Sequence, residues 1–168
     1  MKSKRTRRER GFTMIELLVS VVVVGILAGI SVPNLMGAKQ KALTASVKCN
    51  MKVCQVAAEQ YAVDYAGTYP ADPSNLLTYY PGGTSFPLNP ITNQANEIPA
   101  PCSLNAYSDI SSARQSTAPA NYGGGEGQST YAALPDESGS MVSYAITGNG
   151  VAAEAVRGDN GHLVLSNQ

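Results

Sequence analysis

Hydrophobic positions recur along this chain in three rhythms. Residues 12–36, FTMIELLVSVVVVGILAGISVPNLM, are apolar on every side and hold one charge, Glu16. From Ala38 to about Ala66 apolar residues return every three or four positions: Leu43, Val47, Met51, Cys54, Ala58, Tyr61 and Tyr65. From Met141 the period shortens to two, with Val142, Tyr144 and Ile146 on one side. The first rhythm predicts a helix buried all round, the second an amphipathic helix, and the third a strand.

The 25 residues of the first segment would rise roughly 37 Å as a helix, enough to cross a hydrocarbon core of about 30 Å. Ahead of it stand six bases, Lys2, Lys4, Arg5, Arg7, Arg8 and Arg10, against one acid, Glu9. Such a flank stays on the cytoplasmic side, which places the rest of the chain outside. A secretory signal peptide has the same basic-then-apolar layout. Two features argue against it. No A-x-A site closes the run, and Glu16 costs on the order of 2–3 kcal/mol within a membrane. A disposable leader has no use for such a residue. Pro33 lacks an amide hydrogen, and Gly37 follows four residues later. Together they predict a kink or a locally melted turn at 30–37. Gly25 and Gly29 have the spacing that lets helices approach closely.

On the second helix a thinner apolar stripe, Ala45, Cys49, Val53, Val56 and Val63, runs roughly opposite the main one. A monomer has little use for two apolar faces, whereas a packed polymer does. Gly67 is the expected C-cap. Residues 70–140 carry Pro70, Pro73, Pro81, Pro87, Pro90, Pro99 and Pro101. That punctuation predicts a long surface loop with short elements, among them a helical turn at Asn75–Tyr80. Gly123-Gly124-Gly125-Glu126-Gly127 reads as a loop. It is no phosphate cradle, because no Lys follows it. At the end of the chain Asn149-Gly150 and Asp159-Asn160-Gly161 are turn signals. They separate three expected antiparallel strands at 141–147, 151–157 and 162–165. Those strands would cover the main stripe of the amphipathic helix, giving an α+β domain with the helix as its spine.

Gly11-Phe12-Thr13-Met14-Ile15-Glu16-Leu17-Leu18-Val19 resembles the amino-terminal signature of type IV pilins and of the pseudopilins of type II secretion. The resemblance implies a pilin-like α+β fold, in which a long amino-terminal helix packs on a small carboxy-terminal antiparallel sheet. It also implies that a prepilin peptidase cuts after Gly11 and that Phe12 becomes the N-methylated first residue. Glu16 then sits at the retained fifth mature position, and Pro33 falls where the family's helix commonly has a proline. The organisation expected is a removed leader at 1–11, a transmembrane and polymerisation helix at 12–36, and an exported domain at 37–168 that includes the second half of the helix. The implied partners are further copies in a helical filament, the inner membrane before assembly, the peptidase and an assembly platform. The implied final location is periplasmic or extracellular. Glu16 has two readings. The free amine of a neighbour's Phe12 could pair with it and fix register. Alternatively, it is a helix-start carboxylate favoured by the macrodipole.

Charge sharpens this layout. The 168-residue chain is formally neutral, but the leader is +5 and the remainder −5. Lys39, Lys41, Lys48 and Lys52 follow the anchor, while from Tyr61 onward nine acids face only Arg114 and Arg157. An acidic outer domain is a poor nucleic-acid binder by itself, so no direct nucleic-acid binding is expected. The single histidine, His162, supports no catalytic triad. Asp136, Glu137 and Asp159 form no regular calcium loop. No cofactor or metal is expected. Type II pseudopilins tend to carry an acidic calcium loop near this end, so the missing Asp cluster pulls toward a pilus.

Three cysteines remain. Cys49 and Cys54 lie about 7.5 Å apart along one helix, too far to bridge. Any disulfide must therefore use Cys102, and Cys54, on the core stripe, is the favoured partner. Three small buried hydrophobes, or a thiol linking subunits, are the alternatives. The leading expectation is a pilus subunit. A secretion pseudopilin, or a membrane-anchored enzyme or binding module with an uncut leader, are the alternatives.

Overall fold

The computed structural model describes residues 11–83, 85–94, 100–101, 125–158 and 161–167. The chain divides into two compact units, Met1–Lys39 and Gln40–Gln168. One helix, α1, spans Met14–Asp64 and contributes to both.

Helix α1 begins where its capping chemistry dictates. Thr13 precedes the first helical residue, and Glu16 follows three positions later. The Glu16 amide donates to Thr13 Oγ1 at 3.3 Å, and the Thr13 amide donates to Glu16 Oε2 at 3.5 Å. This reciprocal capping box satisfies two donors that a helix start leaves open. Helical structure then continues without a break through Pro33 and Gly37. The melted turn expected at 30–37 is absent. Proline removes one backbone hydrogen bond, and the bonds of the turns on either side keep the segment helical. The helix ends in a left-handed cap. Ala66 (φ 54°) and Gly67 (φ 86°) turn the chain, and the Gly67 amide donates to the Ala62 carbonyl at 2.7 Å. The expected capping glycine is thus the second left-handed residue of the cap, not the first.

In the unit Gln40–Gln168, one face of α1 supplies the core. Val47, Met51, Cys54, Ala57, Ala58 and Ala62 are buried, at spacings of one, three and four. The main stripe predicted from the sequence contains four of these six. Its outer members diverge: Leu43 is half-buried and Tyr65 is 53% exposed.

Against this face lies a three-stranded sheet with order β1-β2-β3. The strands are β1 (Ala100–Pro101), β2 (Ser129–Pro135) and β3 (Met141–Gly148). β1 and β2 are parallel, and β2 and β3 form an antiparallel hairpin. Thr130 and Thr147 are register partners whose hydroxyls lie 2.5 Å apart in a buried contact. Gly148 brings the sheet onto the helix. A Cβ there would stand 2.7 Å from Met51 Sδ and 2.9 Å from Val47 Cγ1, so only glycine permits this approach.

The strand expected at 141–147 is present as β3. The three-strand arrangement expected after Met141 is not. The hairpin partner of β3 lies before it, in β2, a stretch the sequence reads as loop. The hairpin turn is Asp136–Ser140, not Asn149-Gly150. Asp136 Oδ1 accepts from the Ser138 amide at 2.8 Å and the Ser140 amide at 2.9 Å, and Gly139 takes φ +84°. That side chain supplies in this turn what an Asn-Gly pair supplies in a two-residue turn. Residues 151–157 form a 3-10 turn, Val151–Ala153, which leads into β4 (Arg157–Gly158). β4 pairs antiparallel with β5 (Gly161–His162), and Leu165 bridges to Ile146. The helical turn expected at Asn75–Tyr80 is present as a 3-10 helix, Pro73–Tyr79. Asp72 caps it through the Ser74 amide at 2.9 Å, and proline occupies the first turn.

Candidate assembly segment

The residues singled out for processing and assembly fall at the start of α1. Leader residues 1–10 lie outside the described residues. Gly11, Phe12 and Glu16 are exposed. From Phe12 to Met36 every large apolar side chain is exposed; Val23, the least so, still shows 49% of its surface. An 18-residue window of this helix has a mean hydropathy of 2.6, and none of it is buried within the chain. The helix is long and apolar enough to cross a membrane. Fully burying one Val, Leu, Ile or Met side chain is worth about 1.5–3 kcal/mol. Sixteen such side chains, counting Phe12, therefore form an apolar surface that stays exposed among the described residues.

Within this surface the polar groups are engaged locally. Glu16 uses Oε2 for both of its contacts to Thr13, from the amide at 3.5 Å and from Oγ1 at 3.4 Å. Oε1 makes no hydrogen bond among the described residues. Ser20 Oγ donates to the Glu16 carbonyl at 2.7 Å, and Asn34 Nδ2 donates to the Ile30 carbonyl at 3.3 Å. Both side chains thus hide their polarity against the helix backbone, as a lipid or protein interior requires. A Cβ at Gly25 or Gly29 would meet nothing within 4 Å, so the small-residue face they form is open. The capping role of Thr13 is a feature the sequence reading missed, although Thr-x-x-Glu ahead of an apolar run is its signature.

Two of the three cysteines lie among the described residues. Cys54 is a fully buried thiol. Cys102 lies outside the described residues. Burial pushes the Cys54 thiol up to about 11, and a hydrogen bond with Tyr80 pulls the other way. Packed in this way, Cys54 serves as a small core hydrophobe. Cys49 is a free, exposed thiol.

The remaining polar features of the unit Gln40–Gln168 hold the fold together. Glu59 accepts from Tyr144 Oη at 2.5 Å and from Tyr69 Oη at 3.1 Å, tying α1 to β3. Burial and the Glu59 contacts raise both tyrosines above their ordinary value. Among the described residues no group of three or more His, Cys, Asp or Glu side chains could hold a metal ion.

Comparison with known proteins bears on the same amino-terminal region. Residues 6–32 match the prokaryotic N-terminal methylation motif. In this segment the chain is similar to type IV pilins and pseudopilins. The curated relatives agree. The type II secretion system core protein G of Klebsiella pneumoniae is 39% identical over 70 residues, 42% of this chain and 49% of that protein. Its namesake in Escherichia coli K12 is 38% identical over 61 residues, 36% and 42% of the two chains. That of Pseudomonas aeruginosa is 35% identical over 85 residues, 49% and 59%. The chain thus spans about half the length of the curated relatives it matches. No solved structure matches. The fold is pilin-like, with a long apolar amino-terminal helix and a small antiparallel hairpin sheet toward the carboxy terminus.

Proposed function

We propose that this chain is a structural subunit of a type II secretion pseudopilus. It is anchored in the inner membrane by residues 12–36, cut after Gly11, methylated at Phe12 and polymerised through the same helix. The observation that carries this reading is the uncovered apolar helix behind a matched methylation motif. The relatives named above are secretion components, which favours the pseudopilin alternative over the pilus reading drawn from the sequence. The missing Asp cluster carries less weight than that similarity.

Glu16 has a place in both readings of its role. It caps its own helix through Oε2, and Oε1 is left for the new ammonium of Phe12 on an adjoining copy. Cutting after Gly11 creates that ammonium. In an apolar filament core an unpaired carboxylate is costly, so the pair sets the axial register. Glu16→Gln separates the roles, because glutamine also closes a capping box but carries no charge. Loss of filaments with unchanged helix content supports pairing; normal filaments leave only the cap. A bend at Pro33 and Gly37 would let the anchor repack as it leaves the membrane.

The deciding experiment has two readouts. Mass spectrometry of the native amino-terminal peptide should show methylated Phe12 as the first residue; an intact leader overturns the processing. Deletion in the native host should abolish secretion of exoproteins and spare surface pili. Loss of surface pili with secretion intact overturns the pseudopilus in favour of the pilus.

A further inference from the structure

At its carboxy-terminal end α1 gathers three tyrosines around one carboxylate. Tyr61 and Tyr65, one turn apart, stack with ring centroids 4.1 Å apart and planes 10° from parallel. Tyr79 returns from the end of the 3-10 helix and meets Tyr61 edge to face at 5.6 Å. Its hydroxyl donates at 2.8 Å to Oδ2 of Asp64, the last residue of α1. That hydrogen bond first, and then desolvation, push Tyr79 up to about 12, so its hydroxyl keeps its proton on Asp64. Tyr65 is 53% exposed, and Tyr61 covers one of its two faces, so the other is open. Asp64 is exposed, and its Oδ1 makes no hydrogen bond or ion pair among the described residues. No base balances it locally. The last turn of α1 holds none, although a helix C-terminus favours cations. None lies between Lys52 and Arg114 in the sequence, whereas Glu59, Asp64 and Asp72 do. An open aromatic face, a carboxylate and the negative end of a 51-residue helix all attract a cation.

We propose that Tyr65 and Asp64 form a docking site for an arginine side chain of a partner polypeptide. The guanidinium lies flat on the open face of Tyr65 and donates to Asp64 Oδ1. Tyr79 holds Oδ2 in place, and Tyr61 backs the ring. A guanidinium suits this site better than an ammonium does. It is planar, more weakly hydrated, and can stack on a ring while it donates in its own plane to a carboxylate. The contact uses residues of the unit Gln40–Gln168 alone, so it stands or falls apart from the filament reading.

The test titrates the detergent-solubilised full chain into a capped peptide, acetyl-Gly-Arg-Gly-Arg-Gly-amide, that carries an uncharged dye. Binding is read by fluorescence anisotropy, beside the same peptide with lysine in place of arginine. The arginine peptide should bind about threefold or more tighter than the lysine peptide. Tyr65→Ala removes the ring face, and Asp64→Asn removes the charge but keeps an acceptor for Tyr79. Each should weaken binding about fivefold or more. Tyr65→Phe should restore it, and this variant and Asp64→Asn keep the test sound if Tyr65→Ala fails to fold. Glu137→Gln, at an exposed acid in the β2–β3 turn, should leave affinity unchanged. Absent binding, equal affinity for the two peptides, an equal loss in Glu137→Gln, or wild-type affinity in Tyr65→Ala and Asp64→Asn each overturns the inference. Tighter peptide binding in Arg114→Gln/Arg157→Gln would show that a second copy fills the site with its own arginine, and would overturn a separate partner.

Discussion

Two stretches of one helix, residues 12–36 and 40–64, show what the chain's own fold does and does not ask of a sequence. The first is apolar on every face and buries none of them. The second is apolar on one face, which is sealed by Tyr144, Ile146 and Gly148, and carries Lys41, Lys48 and Lys52 on the other. The first stretch contributes capped helix but no core among the described residues. The second stabilises the domain and leaves an exposed face that carries lysines. Folding and assembly should therefore be separable by position along a single helix.

A charge in the first stretch should give the largest effect. Ile26→Asp adds about 2.5–3.5 kcal/mol to the cost of membrane insertion near the middle of the span. Cell fractionation should show the protein lost from the membrane and no filaments. The thermal melt of the detergent-purified chain should stay within about 0.5 kcal/mol of wild type. A large drop in that melt would show that residues 12–36 support the domain, and the contrast would fail.

The opposite substitution lies in the second stretch. Met51→Ala removes a fully buried side chain that packs at Gly148. Urea denaturation should show a loss of about 2–5 kcal/mol. Val56→Ala, one and a half turns away on the outward face, should change stability by less than about 0.5 kcal/mol. Equal losses at the two positions would mean that the outward face is part of the core after all.

Alkaline pH probes the same buried face. The Cys54 thiol is raised from 9.0 to about 11, so the fold favours its neutral form. Its contribution is fully present below pH 9 and is lost as pH rises from 9 to 11, about 2–3 kcal/mol in all. Burial raises Tyr80 and Tyr131 as well, and they add to the loss above pH 10. Denaturation curves should show stability falling from pH 9. In Cys54→Ala the fall should begin nearer pH 10. An unchanged onset would show that the thiol ionises freely in the fold.

The parts of this design that were legible in the sequence are those written as local periodicity. The anchor, the core stripe through Val47, Met51, Cys54 and Ala58, and the strand after Met141 all follow from spacing alone. β2 was hidden because Ser129-Thr130-Tyr131-Ala132-Ala133-Leu134-Pro135 has no clean alternation and ends in proline. Its Ser129 and Thr130 are buried all the same, because Thr147 answers Thr130 across the hairpin. Asn149-Gly150 looked like the hairpin turn because only side-chain capping by Asp136 makes the longer turn work. The hydrogen bond between Cys54 and Tyr80 was not legible either, because Tyr80 comes from a turn far along the chain. The tyrosine cluster at the end of α1 required Tyr79 to return to Asp64 from 15 residues further along the chain. No spacing rule reports that. The reading of Phe12 and Glu16 came from a motif, and the structure adds to it the Thr13 cap.

The smallest effect should come from mild acid, through a histidine of the unit Gln40–Gln168. His162 is buried, and its value lies below the ordinary 6.5, first because of burial and then because of the nearby Arg157 guanidinium. Folding therefore favours the neutral ring. The unfolded chain takes up a proton at pH 6.5 that the folded chain resists, so this contribution is present above 6.5 and declines as pH falls through the folded value. Asp72 and Asp136 have the opposite charge type but the same sign of slope, in a lower window. Their hydrogen bonds hold them below 3.8, and their contribution fades only as pH falls past that point. Between pH 6.5 and about 4.5 the two processes do not overlap. A small decline in melting temperature across that interval should thus disappear in His162→Gln. Ile26→Asp should leave it untouched, because residues 12–36 contain no histidine. If the decline persists in His162→Gln, another group responds to acid, and its position would show whether the first stretch of α1 is as independent of the fold as its exposure indicates.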